Sequence, residues 1–244
     1  MPNKRYPEEQ RELMAREEQP QQGSEGRPAW QRRTRGEHRW PTVLAVVVAI
    51  GLQWTLPARL IVGPRWVLPA VAALLLVAVG LINPGRIDRY SRMQRSIALL
   101  LVAVVSVATA LSAARLAERI LVGSIGGDAT ELIWGGAVLY ATNIIVFSLW
   151  YWEFDRGGPA DRAMGLHLHP DLLFPQMASP QLASLNWEPT YVDYLYLAFT
   201  NATAFSPTDV MPLKRWAKMA MLVQSAISFL LVILVIARAI NILH

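Results

Sequence analysis

The chain has 244 residues, 53% of them hydrophobic and 17% charged, with a net charge of +5 and no cysteine. A soluble domain carries about 25% charged residues, so this composition excludes an ordinary soluble globular protein. The missing cysteine excludes disulfides, thiolate chemistry and cysteine-ligated metals.

Residues 1–39 are rich in Arg, Glu, Gln and Pro, with almost no large apolar side chain. Such a segment buries too little apolar surface to offset its ordering entropy, which predicts a disordered, charged cytoplasmic tail. It does not read as a signal peptide, because the apolar run starts near residue 41 and no small-residue cleavage site follows. Arg27, Arg32, Arg33, Arg35 and Arg39 stand directly before that run, where they hold the N-terminus in the cytoplasm and meet anionic lipid. The surplus positive charge thus sits at membrane edges and argues against a nucleic-acid partner.

Five windows follow without a single charged side chain: Trp40–Ala58, Trp66–Gly85, Ser96–Ala114, Leu132–Trp152 and Met219–Ala237. A helix rising 1.5 Å per residue needs roughly 20 apolar residues to cross about 30 Å of hydrocarbon, and each window has 19 to 21. Trp40, Trp54, Trp66, Tyr90, Trp134, the Trp150–Trp152 cluster and Trp216 lie at window ends, where aromatic rings favour the headgroup region. The pattern predicts an all-α membrane protein with five transmembrane helices, the first three forming a membrane region over 40–123 and the rest a second region over 131–244. Fourteen Lys and Arg flank the spans on the side of the N-terminus, against Arg59, Arg65, Arg115 and Arg119 on the other. The positive-inside rule then keeps the long 153–212 stretch cytoplasmic.

Residues 153–189 form the one long connection, rich in Pro, Asp, His and Gly, with Leu172–Pro175 and Trp187 suggesting partial packing. Arg156-Gly157-Gly158 reads as termination of the fourth helix, a cation near its negative end and glycine as cap. Glu153 and Asp155 are two apart and do not share a helix face, so they make no acid/base pair. His167, His169 and Asp171 have the residue types of metal ligands, but two His without a third strong ligand are more often plain loop residues, and no metal or other cofactor is expected. No P-loop, dinucleotide fingerprint or nucleophile elbow is present, which points away from an enzyme.

The segment Tyr191–Ala204 suits a short helix, followed by the polar stretch FTNATAFSPTDVMP from Phe199 to Pro212. The uncharged run is long enough to enter a bilayer and too short to leave it, which predicts a re-entrant half-helix between the fourth and fifth spans. Pro207 ends it, with Thr203, Ser206 and Thr208 offering hydroxyls to the freed carbonyls. In the last helix Gln224, Ser225 and Ser228 share one face. They read either as a polar pore lining or as interhelical hydrogen-bond glue, the latter somewhat favoured, and Thr142 and Asn143 carry the same pair of readings. Asp209 likewise reads as a pore charge or as the cap of the last helix near Met211 and Pro212.

Helix, loop, half-helix, polar tip, Asp209-x-x-Pro212, basic residues and final helix together resemble the pore module of tetrameric two-helix potassium channels over about residues 132–243. On that alignment Ala202 and Thr203 take the positions before the filter. The filter itself falls on Ala204, Phe205, Ser206, Pro207 and Thr208, without the family's glycines. The resemblance implies a homotetramer, monovalent cations as partners and a pore lined by Thr203–Asp209 with Gln224 and Ser228. The absent glycines imply a cation path of weak selectivity, because the carbonyl ladder needs glycine-permitted dihedrals. A non-conducting structural or accessory protein that keeps the module as packing is the alternative. The whole pattern, including Tyr151–Pro159 and Phe174-Pro175-Gln176, also resembles an uncharacterised bacterial family of multi-pass membrane proteins, which implies the inner membrane and no particular activity.

Overall fold

A computed structural model of the chain describes residues 27–82, 91–122, 129–206 and 209–243. The chain is mostly helical, 75% of it. Five apolar helices form the body: α1 (Trp40–Thr55), α2 (Val67–Ile82), α3 (Arg92–Val122), α4 (Ala129–Phe154) and, last in the chain, α8 (Arg215–Leu243). Three of them, α3, α4 and α8, are long and apolar enough to cross a membrane. The first two have only 16 residues each. Pro57 explains where α1 stops, because the residue before a proline is pushed out of the helical region, and Leu56 there has ψ 139°. Arg65 then donates from Nε to the freed Trp54 carbonyl at 3.1 Å and from Nη2 to that of Leu56 at 3.2 Å.

Successive helices alternate in direction. Arg59, Leu60, Arg119 and Glu131 gather at one end, with Arg59 and Glu131 3.7 Å apart, while Arg39, Ser91, Arg95 and Glu153 gather at the other. Helix α4 is the hub, packing on α1, α3 and α8 and on the half-helix, with 61% of its apolar window buried against 22% for α8. Gly136 permits the close approach to α8, since a Cβ there would stand 2.6 Å from Val235 Cγ2.

The 153–189 connection is an ordered cap over the second end. It holds the short helices α5 (Pro159–Ala163) and α6 (Pro175–Ala178) and strand β1 (Leu172–Leu173), which pairs antiparallel with β2 (Met211–Pro212), Leu172 opposite Pro212. The fourth helix ends as the Arg156-Gly157-Gly158 pattern indicates, through three successive residues of positive φ (51°, 79° and 99°).

Helix α7 (Tyr191–Ala204) is the half-helix. Asp193 caps its start, accepting from the Thr190 amide at 2.7 Å and hydroxyl at 2.9 Å. It ends at Phe205 in the left-handed conformation, and the Thr203 hydroxyl donates back to the Phe199 carbonyl at 2.8 Å. The Phe205 ring meets Phe229 edge-on with centroids 5.4 Å apart. Phe229 lies 14 residues into α8, roughly 21 Å from its start at 1.5 Å per residue. The chain then returns to β2, next to the first turn of α8, so α7 begins and ends its excursion at the same end of the bundle.

Two expectations need correction. Residues 27–39 do not belong to a disordered tail: Trp30 is buried, the Ala29 amide donates to Leu185 at 2.9 Å and that of Thr34 to Ala163 at 2.8 Å. Composition missed this because one tryptophan and a few polar groups dock on the cap, not on an apolar face of their own. Asp209 does not cap the last helix, because β2 intervenes and α8 starts only at Arg215. The remainder of the expected tail, 1–26, lies outside the described residues.

Candidate functional site

The polar groups of the interior fall into two layers, one under the cap and one deeper among α4, α7 and α8. Asp155, directly after α4, is fully buried and organises the first. Its Oδ1 accepts the amides of Asp171 at 3.2 Å and Leu172 at 3.3 Å, its Oδ2 accepts the Tyr194 hydroxyl at 2.7 Å, and Arg156 Nε lies 3.5 Å from it. Asp171 Oδ2 in turn accepts the Arg156 amide at 3.3 Å and the Trp216 indole at 3.0 Å, while its carbonyl accepts the Leu213 amide at 2.8 Å. Two carboxylates therefore tie the end of α4, the cap, the half-helix and the start of α8 into one unit. Burying the Asp155 charge is tolerated because both of its oxygens find donors.

Arg162 of α5 is the cation of this layer. Its Nη1 donates to the carbonyls of Trp152 at 2.6 Å and Asp155 at 3.1 Å, its Nη2 to Glu37 at 3.1 Å, and the guanidinium stands 5.0 Å from the Tyr194 ring centre and 5.8 Å from that of Trp152. Burial opposes its charge, but Tyr194, Glu37 and Asp155 outweigh that and raise its pKa further above the ordinary arginine value. The second oxygen of Glu37 accepts the Trp152 indole at 2.9 Å and the Tyr191 amide at 3.1 Å. A carboxylate on the first amide of α7 also complements the positive end of the helix dipole. Arg156 donates to the Trp30 carbonyl and lies over the Trp30 ring at 5.7 Å, which docks the 27–39 segment at a second point.

The deeper layer is uncharged. Gln224 accepts from the Tyr151 hydroxyl at 2.7 Å and from Asn201 Nδ2 at 2.8 Å, and donates to the Ala198 carbonyl at 2.7 Å. Asn143 Nδ2 donates to Ser228 at 3.0 Å, Ser225 to the Asn201 carbonyl at 3.2 Å, and Ser148 pairs with Tyr191 at 2.7 Å. Gln224 and Ser228 are both 0% exposed. Both are packed between helices of one chain and hydrogen-bonded there.

Of the other expected site residues, Thr203, Ala204, Phe205 and Ser206 are exposed together at the tip of α7, and Asp209 is exposed on the return. Pro207 and Thr208 lie outside the described residues. Among the described residues no group of three or more His, Cys, Asp or Glu is placed to hold a metal ion; His167 Nε2 lies 3.7 Å from Asp161 Oδ2, and His169 is exposed. Glu153 and Asp155 do face different neighbours, a cleft beside Arg39 and Arg95 for the first and Tyr194 for the second. Sequence reading missed Glu37, Asp155, Arg162, Asp171, Tyr151 and Asn201. The last two carried a signal, polar atoms inside otherwise apolar helices; the charged four did not. No family model matches the chain, and comparison with curated proteins and with solved structures finds no significant match.

Proposed function

We propose that the chain is a five-span protein of the bacterial inner membrane with a cytoplasmic N-terminus, and that its helix, half-helix and final helix form a rigid, non-conducting scaffold resembling a potassium-channel pore module. Its role is structural or accessory, not catalytic. One observation carries this reading: Gln224 and Ser228, the polar residues of the last helix that would line a pore, are fully enclosed and hydrogen-bonded to Tyr151, Asn201, Ala198 and Asn143 of the same chain. Lining a lumen would require them to leave these partners, and a buried polar group stripped of its partner costs about 1–3 kcal/mol. The exposed Trp40, Trp54 and Trp66 support spanning by α1 and α2, since indoles at headgroup height extend a short apolar helix.

A second reading, a weakly selective tetrameric channel for monovalent cations, is favoured by the exposed hydroxyl-bearing tip at Thr203 and Ser206 and by the exposed Asp209 that follows in the chain. A ring of four such carboxylates would attract cations. Reconstitution in liposomes with a potassium- and sodium-flux assay separates the two. No flux above empty vesicles is the expected result; flux that falls on Asp209→Asn while thermal stability holds would replace the scaffold by the channel.

A further inference from the structure

At the cap end, the body is open between α1, α2, α3 and the end of α4. The cleft is open at its mouth, and its empty space with that mouth included is about 720 Å3. Among the described residues its charged groups lie at one end: Arg39 before α1, Arg95 in the first turn of α3 and Glu153 in the last turn of α4. From there the wall runs towards the bundle centre as Val43, Val46, Leu76, Ala98 and Leu101. A polar end at the height of the window ends and an apolar remainder at membrane depth is the shape of an amphiphile.

Arg39 adds the more specific signal. It is 8% exposed and donates from Nη1 to the Val79 carbonyl at 3.3 Å, and its Nε has no hydrogen-bond partner among the described residues. Burial lowers its pKa from the ordinary arginine value, with Glu153 opposing, so the cation is short of compensation. Arg95 stands over the end of α4, its guanidinium carbon 3.8 Å from where a Cβ on Gly158 would be. Among the described residues, two guanidinium groups face one carboxylate there, which leaves the charged end with an excess of positive charge.

We infer that this cleft binds one anionic phospholipid, its phosphate on Arg39 and Arg95 and one acyl chain along the wall of Val43, Val46, Leu76 and Leu101. A phosphodiester carries one negative charge and balances the excess, and its oxygens accept charge-assisted hydrogen bonds that Arg39 lacks. Basic pockets between membrane helices hold such headgroups, whereas a free phosphate would leave the apolar wall wet. The assignment is independent of whether the module conducts.

The test uses the full chain in nanodiscs containing equal phosphatidylglycerol and phosphatidylcholine of the same acyl composition, with retained lipid counted by native mass spectrometry after transfer to detergent. One phosphatidylglycerol per chain is expected, retained about tenfold over phosphatidylcholine, and Arg95→Gln should lower that preference by about tenfold. Ala98→Trp, which fills the wall and leaves both arginines in place, should lower it as well and keeps the test decisive if Arg95→Gln fails to fold. Equal retention of the two lipids, or a preference that survives both substitutions, overturns the inference. A rise in melting temperature with millimolar inorganic phosphate alone, equal to that with phosphatidylglycerol, would instead make it a free-anion site.

Discussion

Glu37 and Arg162 lie 125 residues apart and meet in an ion pair of 3.1 Å, their side chains 11% and 5% exposed. The pair joins the segment before the first helix to the cap that follows the fourth. Because Glu37 also accepts the Trp152 indole and the Tyr191 amide, one carboxylate holds three elements at once.

Removing that carboxylate leaves Arg162 buried with its partner gone. Breaking a buried pair from one side costs about 3–5 kcal/mol, so Glu37→Ala should lower the melting temperature in detergent by several degrees, at about 2–4 °C per kcal/mol for a chain of this size. Tyr194→Phe should act in the same direction and less strongly, since it takes one donor from Asp155. A melting temperature unchanged in both variants would mean the network forms after, not during, the cooperative transition.

Truncation separates the two parts of the N-terminal region. Deleting 1–26 should leave the melting temperature nearly unchanged, because that stretch is mostly charged and polar and has few apolar side chains to dock. Deleting 1–38 removes Trp30 and Glu37 and should lower it by at least as much as Glu37→Ala. Gly165→Ala gives an independent check. Gly165 has φ +65° and a Cβ there would stand 2.9 Å from the backbone of Arg32, so the substitution should loosen the docked segment and speed its proteolysis without altering the helical bundle.

The glue reading of the last helix is testable through Gln224→Leu. The leucine fits the volume but strips partners from Tyr151, Asn201 and the Ala198 carbonyl. Hydrogen bonds between membrane helices average about 0.6 kcal/mol, and three lost together with buried groups left unmet predict a cost of about 1–3 kcal/mol. Leu222→Ala, on the exposed face of the same helix, breaks none of these bonds and should cost less.

The helix Tyr191–Ala204 was legible in the sequence because its evidence is local: an uncharged run between Asp193 and Asp209 that Pro207 interrupts. The three long helices were legible for the same reason. The layer under the cap was not, because its bonds join Glu37 to Arg162, Asp155 to Tyr194 and Asp171 to Trp216, and no local periodicity encodes a pairing across tens of residues. In a Pro- and Gly-rich connection these charges read as solvated. What buries them is the close seating of cap, 27–39 segment and half-helix.

Glu188 gives a prediction in pH. It stands outside the spans, and burial raises its pKa above the ordinary carboxylate value; the Thr34 hydrogen bond and Arg162 and Arg156 pull the other way, while Glu37 adds to the rise. A carboxyl that holds its proton more tightly in the folded than in the unfolded chain penalises folding once the unfolded form has ionised. Below the ordinary carboxylate pKa both forms are protonated and the penalty is absent. It grows as pH rises from there to the raised value and is constant above it. Glu188→Gln retains a group able to hydrogen-bond Thr34 and cannot ionise. The variant should therefore match the parent in melting temperature at about pH 4 and exceed it at pH 7–8, the gap opening between the ordinary and the raised pKa. A parent more stable than the variant at pH 7–8 would show that attraction to Arg162 and Arg156 outweighs the desolvation of the carboxylate.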